Sequence, residues 1–495
     1  MRYCRIALLS VLVVLTSVPV SLAAYHHMGD TDSDIFRDVY PAVAGTKLDS
    51  CAVCHTGGRY EKYPGSNKWV DMGSCQWCHY TYGYDESGDI DDTLNDYGRD
   101  FRDQGRNADA LQTIADLDSD GDGHANGDEI QAVRFPGDAT DDPTMVPAPF
   151  RIFERSQLEQ WPLHEQFLLM NTHKSGDFYA LYSGVPVEDL LDAAGILPTA
   201  TGIRVYAPDG WSQYHPLDQS EEPSFYPVYG EYPPAVYYYD QTADVALYPD
   251  TGWCSFDSIG AEDLSNGDSI GVEDGLRLLL AFTRDSAYLE SGELDASNRL
   301  NGEGPFRVVP PQKKPGPPDQ SVKSDHQDVI WPFDENADHN AGFATRTTTI
   351  IKVDPLPDGF TDINTLEAGW NFVDEGKIVV YGAIDPSETI YEKFDLLMST
   401  LMDAESSAFK RHSVKFRFIL KIWIARLFVE WDRPEKALDI VNNRLITRVD
   451  GCALRDLVDY NDWIITCDNQ KPVYWQLHEL KALINLLVDI NSPAE

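Results

Sequence analysis

Cys51-Ala52-Val53-Cys54-His55 and Cys75-Gln76-Trp77-Cys78-His79 are two copies of one pattern, Cys-x-x-Cys-His. The spacing is that of covalent c-type haem attachment, in which two thiols reach the two vinyl groups on one porphyrin edge and the next residue brings its imidazole to the iron. Paired Cys-x-x-Cys segments are also compatible with a Cys4 zinc ribbon, and in an oxidising compartment with disulfides. Neither of those requires histidine after both pairs, so haem is the reading that uses every residue of the pattern. Cys51, Cys54, Cys75 and Cys78 are then the thioether positions, with His55 and His79 as the proximal iron ligands.

The sixth ligands are less constrained. His26, His27, Met28, Met72 and His124 are the candidates, and His26-His27 is the most suggestive pair, because neighbours in an extended segment point to opposite sides and could serve different irons. Bis-histidine ligation implies low reduction potentials and Met/His ligation higher ones. The short segment Thr56–Ser74 tethers the two motifs and keeps the two groups near each other, which suits electron relay.

Downstream, Asp118-Ser-Asp120-Gly-Asp122-Gly123-His124-Ala-Asn126-Gly-Asp-Glu129 fits the twelve-residue EF-hand loop. Oxygen donors fall at positions 1, 3, 5, 9 and 12, a glycine at 6 allows the sharp turn, and His124 offers its backbone carbonyl at 7. A helix through Leu111, Ile114 and Leu117 leads in, and Pro136 cuts the exit helix short. A single clipped loop of this kind reads as a structural calcium staple for the haem module.

The chain has 495 residues, with 81 acidic against 39 basic side chains and a formal charge of -42. Such a field repels nucleic acid and anionic lipid headgroups, so neither is an expected partner. The haem region, residues 24–145, carries 25 acids against 9 bases, which would steer basic redox partners, such as basic cytochromes, toward it. The N-terminus combines a positive start, the apolar stretch IALLSVLVVLTSVPV and a small-residue site at Ser21-x-Ala23, the pattern of a secretory signal peptide cleaved after Ala23 or Ala24. The expected location is the periplasm or cell surface. The stretch Phe416–Trp431 is bulky on all faces but too short to span a membrane and carries Lys421 and Arg426, so it is expected as a buried helix.

Four segments follow: 1–23 signal peptide, 24–145 haem and calcium module, 146–385 a β-rich domain, and 386–495 an α-helical bundle, an α+β multidomain chain in all. The β-rich domain is marked by runs such as Gly202–Tyr206, Val236–Tyr239, Phe306–Val309, Thr347–Val353 and Lys377–Tyr381 between turn residues, with one helix at Pro186–Ala194 closed by Gly195. Its segments Gly184–Ile196 (GVPVEDLLDAAGI), Val205–Gly210 and Gly304–Pro310 (GPFRVVP) resemble the molybdopterin-binding fold of sulfite oxidases. That family holds molybdenum through a cysteine upstream of the GVP segment, and here no cysteine lies between Cys78 and Cys254. The resemblance therefore implies a fold relative without molybdopterin. A haem-linked molybdopterin-type oxidoreductase acting on a small anion is the alternative.

Asn301-Gly-Glu-Gly-Pro305, taken with the haem pair, makes the chain similar to exported bacterial dihaem proteins marked by a Gly-Glu-Gly-Pro motif, which implies electron transfer but no substrate. Read from the residues alone, Gly302–Pro305 is a tight turn feeding a strand. In the bundle, Cys452 and Cys467 bracket one loop with no nearer partner, which pairs them as a disulfide. The module resembles terminal helical domains of secreted bacterial surface proteins, in which VDGC and NDWI recur. Lys410, Arg411, Lys415, Arg417, Lys421 and Arg426 form a basic cluster, expected to dock against the acidic remainder. Cys254 is left as an odd thiol, expected to be buried. The function expected is electron relay between redox partners, with enzyme status open.

Overall fold

The computed structural model describes residues 31–55, 59–61, 69–71, 88–171, 177–208, 211–218, 226–230, 232–240, 254–294, 300–312, 340–364, 370–455 and 457–492. Within them the chain mixes helix and sheet and ends in a helical region. Among the described residues no helix is long and apolar enough to cross a membrane.

The first part is built from short helices: α1 (Thr31–Val39), α2 (Ala52–His55), α3 (Asp96–Asp103), α4 (Ala108–Ile114) and α5 (Asn126–Gln131). Asn95 and Asn107 cap α3 and α4 by accepting from the amides of Gly98 and Ala110, which satisfies donors that a helix start leaves open. One apolar cluster gathers Phe36, Val43, Leu48, Val53, Tyr97, Phe101, Leu111, Ile114 and Ile130. None of these helices is long enough to be stable alone, so this shared core is what holds them.

Two five-stranded sheets follow. The first runs in the order β1 (Phe150–Glu154), β10 (Lys377–Gly382), β9 (Ile350–Asp354), β4 (Gly202–Tyr206), β5 (Ser212–Pro216), with β9 and β10 parallel and the other neighbours antiparallel. The second is antiparallel: β2 (His164–Met170) beside β3 (Phe178–Pro186), then β6 (Leu279–Arg284), whose far edge takes β7 (Ala287–Tyr288) and β8 (Arg307–Val309). Alternation along each strand decides what it faces. Ile351, Val353, Ile378 and Val380 join Val185, Leu280, Phe282 and Val308 in a core between the sheets, closed by Leu190 and Leu191 of α6 (Val187–Ala194). The intervening Ile350, Val379 and Tyr381 face the helical region instead. Gly195 ends α6 at φ +74°, where only glycine is unstrained.

The helical region comprises α7 (Ser387–Asp403), α8 (His412–Glu430), α9 (Pro434–Ile440) and α10 (Cys467–Asn491). Cys452 and Cys467 are joined by a disulfide with Cα atoms 5.3 Å apart, and Cys254 is buried beside Tyr179 and Tyr238. Helix α8 departs from the expectation of full burial. Val414, Phe418, Ile422, Ala425 and Val429 are buried, whereas Phe416, Leu420 and Trp423 are 64%, 53% and 49% exposed. Bulky residues on all sides do not require burial on all sides, because the bundle supplies packing partners to one face only. Three members of the basic cluster, Lys410, Lys415 and Arg426, are tied within their own module. Lys415 donates to the carbonyls of Met402 and Ala404 at 2.8 and 2.7 Å, Arg426 pairs with Asp395 and Glu430, and Lys410 donates to Tyr460.

Candidate functional site

Cys54 and His55 close the short helix α2, whose neighbours are set by the segment that leads into α3. The Asn95 amide donates to the Cys54 carbonyl at 2.8 Å, and its side chain donates to the Val53 carbonyl at 2.9 Å. Gly98 is required here by close approach: a Cβ would stand 2.6 Å from the Cys54 carbonyl oxygen.

His55 Nδ1 lies 3.0 Å from the Thr93 carbonyl oxygen and 2.8 Å from the Thr93 hydroxyl. A carbonyl can only accept, so Nδ1 carries the hydrogen in that contact and the lone pair is left on Nε2. Burial lowers the His55 pKa, with the Thr93 contact working the other way, and that contact selects the tautomer of the neutral ring with its hydrogen on Nδ1. That is the state of a metal-binding imidazole, and a carbonyl on the other ring nitrogen is the usual device that orients one. Burial first, and then Asp32, push the Cys54 thiol up to about 12. Thioether attachment needs no thiolate charge in the bonded state, so a buried, uncharged sulfur is compatible with it. The donor set therefore fits covalent haem. Cys75, Cys78 and His79 of the second motif lie outside the described residues, as do His26, His27, Met28 and Met72.

The acidic loop stands between α4 and α5. Gly121 and Gly123 adopt φ of +81° and +100°, which lets the chain turn tightly around its own carboxylates. Asp118 accepts from the amides of Gly121 and Gly123, Asp120 from that of Asp122, and Asp122 from that of His124. One carboxylate oxygen from each of Asp118, Asp120 and Asp122 falls within 4.8 Å of the others. Glu129 is 0% exposed. Among the described residues neither of its oxygens has a hydrogen-bond partner, and Asp120 and Asp122 each hold one further buried oxygen without one. Burial first, and then repulsion from Asp120 and Asp122, push Glu129 up to about 9, and burial pushes Asp120 up to about 6.

Two loop residues expected as oxygen donors have further tasks. Asn126 is fully buried; its Nδ2 donates to the Ile114 carbonyl at 2.7 Å and to Ser119 Oγ at 2.9 Å, and its Oδ1 accepts from the Ser119 amide at 3.2 Å. It sews the loop's exit to its entry. His124, half-buried, donates its amide to Asp122 at 2.7 Å.

The Gly-Glu-Gly-Pro segment holds an ion network, buried at Arg307 and partly exposed at Glu303 and Arg284, that its sequence alone does not reveal. Glu303 bridges Arg284 of β6 and Arg307 of β8, both at 2.9 Å, and Arg307 reaches the Tyr182 hydroxyl of β3 at 3.1 Å. Burial acts to raise the Glu303 pKa, and the two guanidinium groups outweigh it, holding the carboxyl below its ordinary value. At Gly302 a Cβ would meet the Ser291 carbonyl at 2.4 Å, and at Gly304 the Leu289 carbonyl at 2.6 Å. The motif is thus a close crossing of two chain segments pinned by one carboxylate.

No family model matches the chain, and neither a curated protein nor a solved structure matches it.

Proposed function

We propose that this chain is an exported dihaem c-type cytochrome that relays electrons between redox partners. The observation that carries the reading is His55, whose Nδ1 faces the Thr93 carbonyl at 3.0 Å so that Nε2 is the ring's acceptor nitrogen, at the end of a Cys-x-x-Cys-His helix. Cys51 and Cys54 would supply the two thioether sulfurs and His55 Nε2 the axial nitrogen, with Cys75, Cys78 and His79 doing the same at the second motif. Haem bound at these positions supplies a one-electron couple. The 25 acids of residues 24–145 against 9 bases would draw basic partner proteins to this end of the chain and make their association slow with added salt.

The same reading takes the β-rich region as a relative of the sulfite oxidase-type fold that works without molybdopterin. Its support is the strand-to-helix passage β3–α6 carrying the GVP segment, and strand β8 carrying Arg307-Val308-Val309 beside β6.

The test is the mass and visible spectrum of the purified full-length protein. Two covalent haem additions and a spectrum that changes on reduction are expected, and replacing Cys51 and Cys54 together by alanine should remove one addition. A colourless protein of unmodified mass would end this proposal.

A further inference from the structure

We propose that Asp118, Asp120, Asp122 and Glu129 bind one divalent cation of calcium's size, and that the filled loop fixes the helix bearing Cys54 and His55 through Ser119 and Asp100. The consequence for the redox site rests on the haem reading above; the cation site does not.

Unpartnered oxygens carry the first half. Buried polar atoms in folded proteins have partners as a rule, and each exception asks for a missing group. Here four orphaned carboxylate oxygens, two of them on the fully buried Glu129, belong to one loop. Neutral donors could pair with these oxygens but would leave the repulsion among them, and the neighbours with the largest electrostatic effect on Glu129 are Asp120, Asp122, Asp141 and Asp118, all carboxylates. A single cation removes repulsion and orphaned oxygens at once. Several carboxylates on a flexible, glycine-turned loop suit calcium, whereas magnesium demands near-octahedral geometry and keeps its water.

Contacts across the module carry the second half. Ser119, the second residue of the loop, donates from Oγ to Asp100 Oδ2 at 2.7 Å. Asp100 belongs to α3, whose cap residue Asn95 grips the carbonyls of Val53 and Cys54, and Thr93, just before it, orients His55. Loop, α3 and α2 thus form one unbroken set of hydrogen bonds. Spatial continuity alone does not prove energetic coupling, so coupling is what the experiment must read.

Full-length protein stripped with a chelator is titrated with calcium chloride in a calorimeter, and amide hydrogen exchange is followed with and without calcium. One calcium site is expected, with Glu129→Gln weakening binding by at least about tenfold. Exchange at residues 95–101 and 53–55 should slow when calcium is present. Ser119→Ala, and independently Asp100→Ala, should leave calcium affinity within about threefold while abolishing the slowing at 53–55. Absence of binding at millimolar calcium, or equal affinity for magnesium, would overturn the site; binding that leaves exchange at 53–55 unchanged would overturn the coupling. Because these readouts are calcium and backbone amides, a colourless chain that binds calcium refutes the haem reading and leaves the site standing.

Discussion

His215, on β5, is fully buried, with Nδ1 at 2.9 Å from the Tyr226 carbonyl and Nε2 without a partner among the described residues. Burial lowers its pKa to about 4, against the Tyr226 contact. In the unfolded chain the same ring takes its proton near 6.5. Between those values the unfolded state binds the extra proton, so this residue's contribution makes stability rise with pH. The loss should set in as pH falls below about 6.5 and be complete near 4, amounting to about 3 kcal/mol at about 1.4 kcal/mol per unit. Urea unfolding of the native protein and of His215→Gln at pH 7 and pH 5 isolates this part from the other titrating groups. The native protein should lose more stability than the variant over that interval, and equal losses would refute the assignment. Glu303 shows the opposite solution to burying a titratable group: two guanidinium groups keep it charged. Truncating Glu303 takes the carboxylate from buried Arg307, and breaking such a network from that side costs more than the pairing itself contributes.

At the scale of elements, α8 divides its bulky residues into two classes that composition cannot separate. Phe418 is buried against Trp463 at 5.5 Å, edge to face, while Trp423 stands about half in solvent. Phe418→Ala should therefore cost about 3–5 kcal/mol, and Trp423→Lys should stay within about 0.5 kcal/mol, both read from chemical denaturation midpoints. Similar costs at the two sites would mean that the outer face is covered in solution. Much of this level is legible from local pattern. The β4 and β10 segments, α6 with its closing glycine, and the break before Pro434 all follow from periodicity and from glycine and proline chemistry. What pattern does not reveal is pairing between distant segments. Strand β9 lies parallel to β10 and antiparallel to β4, a choice made by the shared core and not by any residue within β9. The site divides the same way. Cys54, His55 and the acidic loop announce themselves by spacing, but Thr93, which orients His55, lies 38 residues away, and a lone threonine carries no spacing signal. Asn126 was legible as an oxygen donor of the loop and not as the tie between its ends, because its partner Ile114 belongs to the preceding helix.

Across the whole molecule, the N-terminal helices meet the sheet region through Lys47, which is 0% exposed. Its Nζ lies 2.5 Å from Asp141 Oδ2 and 3.0 Å from Thr361 Oγ1, and Thr361 in turn donates to Asp141. The Phe135 amide adds a further bond to the same carboxylate at 2.9 Å. Burial opposes both charges, lowering the Lys47 pKa and raising that of Asp141, and their mutual attraction works against it. Lys47 and Asp141 are separated by 94 residues, and Lys47 and Thr361 by 314, so this cluster ties the N-terminal helices to the sheet region. Lys47→Met fills nearly the same space but removes the nearer of the two buried cations beside Asp141, leaving Arg134 at 3.7 Å, and should destabilise by about 3 kcal/mol. Lys47→Met combined with Asp141→Leu removes both charges but also takes the anion from buried Arg134, so it should recover only part of that loss. Calorimetric unfolding distinguishes a joint from a local contact. If the cluster couples the two regions, the native protein melts with them in a single transition and Lys47→Met separates an earlier one, whose residues hydrogen exchange should assign to 31–55 and 88–135. A variant that lowers one unsplit transition would show Lys47 to be ordinary core, and the coupling between the N-terminal helices and the sheets would have to be sought elsewhere.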